Sequence, residues 1–317
     1  MKWLEVHIDT NHRGLDPLET FLSSLGIDNL VIDDETEFQD FLENNRQYWD
    51  YVDEELLARE QGRSRVTFYL QADQSGFDTL AMVRMALSGF RQDHPDCGSL
   101  LMTLDNLEDA DWENNWKQYY KPMEIGSRLI VIPEWESADT RGRVPLILNP
   151  GLTFGTGSHA TTRLCLTALE QRIRGGEEVL DLGCGSGILS IAALKLGAAH
   201  AFSCDIDDKC QHVAYENAAL NGIDRTSYTV RTGDILTDPA LQQEIGSGYD
   251  VVLANIVADV IIALAPAVRP LLKPDGVFIC SGIIDDRAVE VADKLRQAGL
   301  SILESREADG WFSYVCN

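Results

Sequence analysis

Glu178-Val-Leu-Asp-Leu-Gly-Cys-Gly-Ser-Gly-Ile-Leu189 is the stretch whose reading decides the fold. The apolar run Glu178 to Leu182 reads as a buried strand, Gly183 to Gly187 as a tight turn, and Ile188 to Leu196 as the helix that the turn opens. The glycine spacing then limits what the turn holds. A dinucleotide fingerprint is G-x-G-x-x-G, in which backbone amides and a helix N-terminus cradle a pyrophosphate. Here the third glycine comes one residue early, and Ile188 fills the position where that fingerprint wants glycine. A G-x-G-x-G turn still lets a ligand lie against bare backbone, but the ligand need not carry phosphate. The spacing points to a nucleoside-type cofactor, with S-adenosylmethionine the leading candidate, and disfavours a nicotinamide dehydrogenase.

The next strand adds an acid at the right interval. Ala201-Phe-Ser-Cys-Asp205 reads as strand two of the same unit, and Asp205 lies twenty-two residues after Gly183. A ribose-binding acid is expected about 20 residues after such a turn. A carboxylate accepts two hydrogen bonds at once, which suits the paired ribose hydroxyls.

From about Ile173 strands and helices alternate, the pattern of a parallel, doubly wound sheet. Strands are expected near 178–182, 201–205, 227–231, 250–254 and 276–280. The final pair, Leu300–Arg306 and Trp311–Cys316, is joined by Glu307-Ala-Asp-Gly310, short enough for a hairpin, so the last strand should run antiparallel. In such sheets ligands bind beyond the carboxyl ends of the strands, where the strand order reverses. Asn255 ends the fourth of these strands, Asp250-Val-Val-Leu-Ala-Asn255, and its amide oxygen accepts a hydrogen bond without adding charge. Asp234, after strand three, is a candidate for an adenine edge. Asn149 to Thr162 holds three glycines, four threonines, a serine and a histidine in fourteen residues, more than a plain helix cap requires. Part of this loop is expected to close over the cofactor. His159 is a weaker catalytic candidate, because nothing in the sequence marks a nucleophile for it to activate.

Residues 1–105 read as a smaller α+β unit, βαββαβ in order, a ferredoxin-like sandwich. Its strands are expected at Lys2–Ile8, with Trp3, Val6 and Ile8 as apolar members, at Leu30–Ile32, at Arg65–Leu70 and at Ser99–Leu104. Its helices start at Asp16-Pro17, with Asp16 as cap, and at Phe77. Residues 33–63 read as an acidic insertion. Residues 106–122 read as a linker helix with an aromatic stripe, Trp112, Trp116, Tyr119 and Tyr120, and residues 123–317 as the cofactor-binding domain. Arg128–Pro133 and Val144–Leu148 read as a hairpin.

Composition bounds the function. The chain has 317 residues, 44% of them hydrophobic, and 26 basic against 51 acidic side chains give a net charge of −25. That balance argues against a general or sequence-specific grip on nucleic acid, which needs clustered lysine and arginine. It is compatible with steering toward a basic protein. The N-terminus does not read as a signal peptide, and no apolar run approaches the ~20 residues of a membrane span, so no membrane partner is expected. The seven cysteines contain no C-x-x-C pair, and a reducing, cytoplasmic setting fits them best.

Four motifs, taken together, carry a family resemblance: Asp111-Trp-Glu-x-x-Trp116, Asn149-Pro-Gly-Leu-x-Phe-Gly-Thr-Gly-Ser-His-x-Thr-Thr162, Asp181-Leu-Gly-Cys-Gly-Ser-Gly-Ile-Leu189 and Ala254-Asn-Ile-Val257. With Ala192 to Ala198 they make the chain resemble the bacterial ribosomal protein L eleven methyltransferases, class I S-adenosylmethionine enzymes. The loop ending at Thr162 is the family-specific element; the G-x-G-x-G turn occurs across the class. The resemblance implies a class I methyltransferase Rossmann-like sheet behind the smaller α+β domain. It implies Thr162, Gly183, Asp205 and Asn255 as cofactor contacts, with Asn255 also serving the chemistry. It implies an amino-terminal domain that recognises the ribosomal substrate, and methylation of lysine ε-amines and the N-terminal amine. The protein is expected to act as a monomer. The loop departs from the family in having Ser158 where threonine is expected and Ala160 where proline is common, and both changes keep a small residue. Two other readings are alternatives on the same motifs: a class I methyltransferase acting on another protein, a small molecule or a nucleic acid, and a non-catalytic S-adenosylmethionine-binding module that docks on ribosomes.

Overall fold

A computed structural model of the protein describes residues 3–34, 64–105, 120–149 and 157–317. The chain divides into two compact units between Lys117 and Gln118. Period-two alternation builds the first. Leu4, Val6 and Ile8 of β1 (Trp3–Thr10) are buried, whereas Trp3 lies on the opposite face of the strand and is exposed. The apolar face therefore starts at Leu4, because residues of one parity share one side of a strand. Helix α1 (Leu15–Ser24) follows a short 3-10 turn, and its entrance also differs from the expectation. Asp16 does not cap α1, whose N-cap is Gly14 with no side-chain cap bond; Asn11 caps the preceding 3-10 turn, accepting from the Gly14 amide at 3.0 Å. The chain runs from that turn straight into α1, which leaves Asp16 in the first helical turn, where an acid meets the positive end of the helix dipole.

Then come β2 (Leu30–Asp33), β3 (Ser64–Gln71), α2 (Gln74–Asp93) and β4 (Leu101–Asp105). The four strands lie in the order β2-β3-β1-β4, with every neighbouring pair antiparallel. Residues 35–63 of the expected insertion, and Trp112, Trp116 and Tyr119 of the aromatic stripe, fall outside the described residues. Tyr120 is buried, and Tyr120 to Pro122 lie outside any helix, as the bias against helix in the residue before a proline requires.

The second unit opens with β5 (Met123–Ile125), β6 (Leu129–Pro133) and β7 (Val144–Leu148). The expected hairpin between the last two is not formed. β6 and β7 pair in parallel, and the hairpin is instead β5–β6. Residues 134–143 are long enough to bring the chain back to the start of β6, so β7 lies alongside it in the same direction. The β5–β6 turn is fastened from the next helix, α3 (Ala160–Leu169): the Ser127 and Arg128 amides each donate to the carboxylate of Glu170, the C-cap residue of α3, at 2.8 Å.

The remaining elements alternate: β8 (Glu178–Leu182), α4 (Ile188–Leu196), β9 (His200–Asp205), α5 (Asp208–Leu220), β10 (Tyr228–Thr232), α6 (Pro239–Ile245), β11 (Tyr249–Asn255), α7 (Ala258–Leu271), β12 (Leu272–Ile284), α8 (Asp285–Gln297), β13 (Ile302–Ala308) and β14 (Trp311–Cys316). Seven strands stand in the order β10-β9-β8-β11-β12-β14-β13. They are parallel from β10 to β12, and β14 runs antiparallel to both its neighbours. The β13–β14 turn is two residues rather than four. Asp309 and Gly310 have φ of 53° and 78°, the positive pair that a tight primed turn demands. Strand parity sorts the core into two layers. Val179, Val251, Leu253 and Ile279 pack under α3 and α4, while Leu180, Leu182, Val252 and Phe278 pack with residues of α7 and α8. Each such side chain contributes about 1.5–3 kcal/mol by leaving water.

Glu170→Ala should remove the carboxylate that holds the Ser127 and Arg128 amides at the β5–β6 turn and destabilise the second unit by about 1.5–3 kcal/mol. The shift in urea midpoint, at unchanged slope, measures it.

Candidate active site

The strand order reverses between β8 and β11. β8 leads outward to β9 and β10, and β11 leads the other way to β12. Ala254 pairs with Leu182 across that junction, so the residues that follow, Asn255 and Gly183, leave the sheet side by side. This is the crevice where a doubly wound sheet binds its ligand.

The glycine turn owes its shape to backbone angles and to partners on the next strand. Gly183 and Gly187 have φ of 73° and 80°. A Cβ on Gly187 would lie 2.8 Å from the Tyr228 hydroxyl, and one on Gly183 would strike Ile256 at 2.4 Å. The Gly183 and Cys184 amides both donate to the Cys204 carbonyl, at 2.8 and 3.2 Å. The Gly185 amide donates to Asp205 Oδ2 at 2.9 Å, and the Asp207 amide to Oδ1 at 3.0 Å. Each carboxylate oxygen has a second lone pair, so Asp205 can hold these amides and still accept from hydroxyls of a ligand. Burial pushes its pKa up, and the two amide bonds oppose that shift.

Asn255 ends β11 and is buried. Its Nδ2 donates to Thr162 Oγ1 at 3.2 Å, which fixes the rotation of the carboxamide. Its Oδ1 is buried without a hydrogen-bond partner among the described residues. An orphaned buried acceptor costs about 1–3 kcal/mol, and a donor from a bound molecule removes that cost. Thr162 sits in the first turn of α3 and is fully buried. The structure thus joins Asn255 with Thr162, and Gly183 with Asp205 through the turn. The orphaned acceptor suits an amine donor in the crevice, and the carboxylate with spare lone pairs fits the ribose diol of a nucleoside cofactor.

Two further candidates have local explanations. Asp234 accepts from the Leu236 amide and the Thr237 hydroxyl, both at 2.8 Å, and so caps its own turn. His159 is the N-cap of α3. Its Nδ1 lies 2.8 Å from Thr161 Oγ1, and its ring packs edge-on against Trp311 at 4.9 Å. Burial, followed by the nearby Arg163 charge, lowers its pKa to about 4, so the imidazole stays neutral at ordinary pH.

Sequence reasoning missed Asp181. It lies under the turn on β8, almost wholly buried, and Ser190 Oγ donates to its Oδ2 at 2.8 Å. The chain of hydroxyls continues through Ser203 at 2.8 Å to the Tyr228 hydroxyl at 3.2 Å. Burial, more than any neighbour, pushes the Asp181 carboxyl up to about 7. The signal was available: a lone acid at an inward position of a buried strand, with Ser190 inward on the helix that follows.

A glycine turn at a strand-order reversal, an acid closing the next strand and an antiparallel seventh strand define a class I S-adenosylmethionine-dependent methyltransferase. The family described as "Ribosomal protein L11 methyltransferase (PrmA)" matches residues 2–317, and the chain belongs to that family. It is 38% identical over 98% of its length to the ribosomal protein L11 methyltransferase of Agathobacter rectalis, of which 97% is covered. It is 35% identical over 99% of its length to that of Caldanaerobacter subterraneus subsp. tengcongensis, with 98% covered. Among solved structures, the ribosomal protein L11 methylase of Lactobacillus delbrueckii subsp. bulgaricus superimposes with a TM-score of 0.57. That match has 32% identity and covers 62% of this chain and 98% of that one.

The Asp181 shift carries a pH signature. The folded carboxyl holds its proton up to about pH 7, whereas the unfolded one releases it near 4. Its stabilising effect is therefore complete below pH 4 and is lost as the pH rises through 7. Wild type should lose about 1.4 kcal/mol per pH unit relative to Asp181→Asn between pH 4 and 7. Paired urea titrations across that window measure the difference.

Proposed function

We propose that the chain transfers methyl groups from S-adenosylmethionine to lysine ε-amines and the N-terminal amine of ribosomal protein L11. The orphaned Asn255 Oδ1 at the strand-order reversal is the observation that carries this reading. When bound, the cofactor supplies an electrophilic methyl group on a positively charged sulfur. Asp205 and the turn at Gly183 hold the nucleoside end, and Thr162 orients Asn255.

Asn255 Oδ1 then accepts an N–H of the incoming amine and directs its lone pair. The amine must arrive uncharged. A free lysine of pKa about 10.4 is only about 0.1% neutral near pH 7.4. Burial beside a positive charge disfavours ammonium and lowers that pKa. Alignment and exclusion of water then supply most of the acceleration, and no dedicated base is needed. That agrees with a His159 already occupied as a helix cap. The net charge of −25 favours approach of a basic ribosomal protein. No helix among the described residues is long and apolar enough to cross a membrane.

Incubation of the enzyme and labelled cofactor with undermethylated large ribosomal subunits tests the proposal. Label should enter L11, and mass analysis should place it on amines. Label in another protein or in RNA, or none at all, would overturn the assignment.

Two substitutions test the residue roles. Asn255→Ala should lower kcat about 100-fold. Asp205→Ala should instead weaken cofactor binding by at least about tenfold. Wild-type turnover in the first and wild-type affinity in the second would remove both assignments.

A further inference from the structure

Helix α5 and its C-cap carry two asparagines four residues apart, Asn217, fully buried within the helix, and Asn221, nearly so, at the cap. Both serve the free edge of β7. Asn221 Oδ1 accepts from the Ile147 amide at 2.9 Å, and its Nδ2 donates to the Ile147 carbonyl at 2.7 Å. Asn217 Oδ1 accepts from the Asn149 amide at 2.9 Å. Two side-chain amides thus do what a neighbouring strand would do, since among the described residues β7 pairs only with β6 in its sheet.

Asn217 differs from Asn221 in one respect. Its Nδ2 donates to the Ser186 carbonyl, inside the glycine turn, at 2.9 Å. One carboxamide therefore ties the turn to the residue that follows β7. The amides of Gly183, Cys184 and Gly185 are held from β9, by the Cys204 carbonyl and Asp205, and the Gly187 amide donates to the Cys184 carbonyl within the turn at 2.8 Å. Asn217 holds the Ser186–Gly187 peptide from the α5 side, where the turn passes into α4.

We infer that Asn217 is a positioning residue for the cofactor turn. It fixes the plane of the Ser186–Gly187 peptide and couples that plane to Asn149, where the family-specific loop begins. It touches neither amine nor methyl group. Its loss should loosen the bed on which the nucleoside rests and leave the alignment made by Asn255 in place. This rests on the methyl-transfer reading, and it extends that reading to a residue behind the site.

The test compares Asn217→Asp with Asn221→Asp. In the first, a carboxylate oxygen replaces the donor to Ser186 while the acceptor for Asn149 is kept. The second removes a comparable donor to β7 from the cap of the same helix and does not reach the turn. S-adenosylhomocysteine, the unreactive product, is titrated into each full-length protein by calorimetry well below its melting temperature. Asn217→Asp should bind about tenfold or more weakly than wild type, and Asn221→Asp within about twofold, although both lower the melting temperature. In turnover, Asn217→Asp should raise the cofactor KM more than it lowers kcat. Equal affinities for the two variants, or a loss confined to kcat, would overturn the inference. Failure of wild type to bind the product would instead overturn the methyl-transfer reading.

Should Asn217→Asp not fold, hydrogen exchange on wild type decides. Product binding should slow exchange of the Asn149 amide together with that of Gly187. Protection at Gly187 with none at Asn149 would count against the coupling.

Discussion

The hydrogen bond from the Gly185 amide to the Asp205 carboxylate sets the geometry on which the site depends. The turn leaves a buried sheet without the partners that a strand or a helix interior would give its amides. Asp205 meets that need from the neighbouring strand, but a carboxylate almost wholly out of water is costly, and burial raises its pKa. The amides of Gly185 and Asp207 offset part of that cost. A ligand's hydroxyls would offset more. The carboxylate would thereby link the shape of the turn to a ligand in the crevice. It also fixes the end of β8 against β9, and this places the departing chain beside Asn255 on the other side.

Much of this architecture was legible because period and punctuation agreed. The helix expected from Ile188 to Leu196 has those bounds, and β14 has the expected limits Trp311 and Cys316. Glycine turns and apolar runs are local signals and place the elements, whereas strand ends depend on neighbours: the strand expected at 276–280 runs from Leu272 to Ile284. The hairpin expected from Arg128 to Leu148 failed for a non-local reason. Both runs do form strands, but pairing direction depends on where residues 134–143 return the chain, and neither run records that. Asp16 failed as a cap because Asn11, five residues earlier, had already started a turn that continued into the helix.

The site was legible where one residue type has one chemical use at one position. Asp205 and Asn255 both end strands at the crevice, and their place follows from the strand order once a doubly wound sheet is accepted. Asp181 and Asn217 were not seen. Each is a polar residue at an inward position of an otherwise apolar face, and such residues gain meaning only from partners distant in sequence. Asn217 finds Asn149 and Ser186, 68 and 31 residues away. His159 and Asp234 show the converse. Both looked chemical, and both have local work in capping turns.

The place of β14 bears on how the protein is made. It lies between β12 and β13, yet it follows both in the chain. Until Trp311 to Cys316 leave the ribosome, β12 presents an unpaired edge of buried-type residues, and β13 has no strand to join. Such an edge is a template for association with other chains. A nascent chain stalled just short of Trp311 carries a complete glycine turn and an open sheet. The two-residue turn at Asp309-Gly310 shortens that interval, because β14 can fold back on β13 as soon as it emerges and then dock on β12 as half of a finished hairpin.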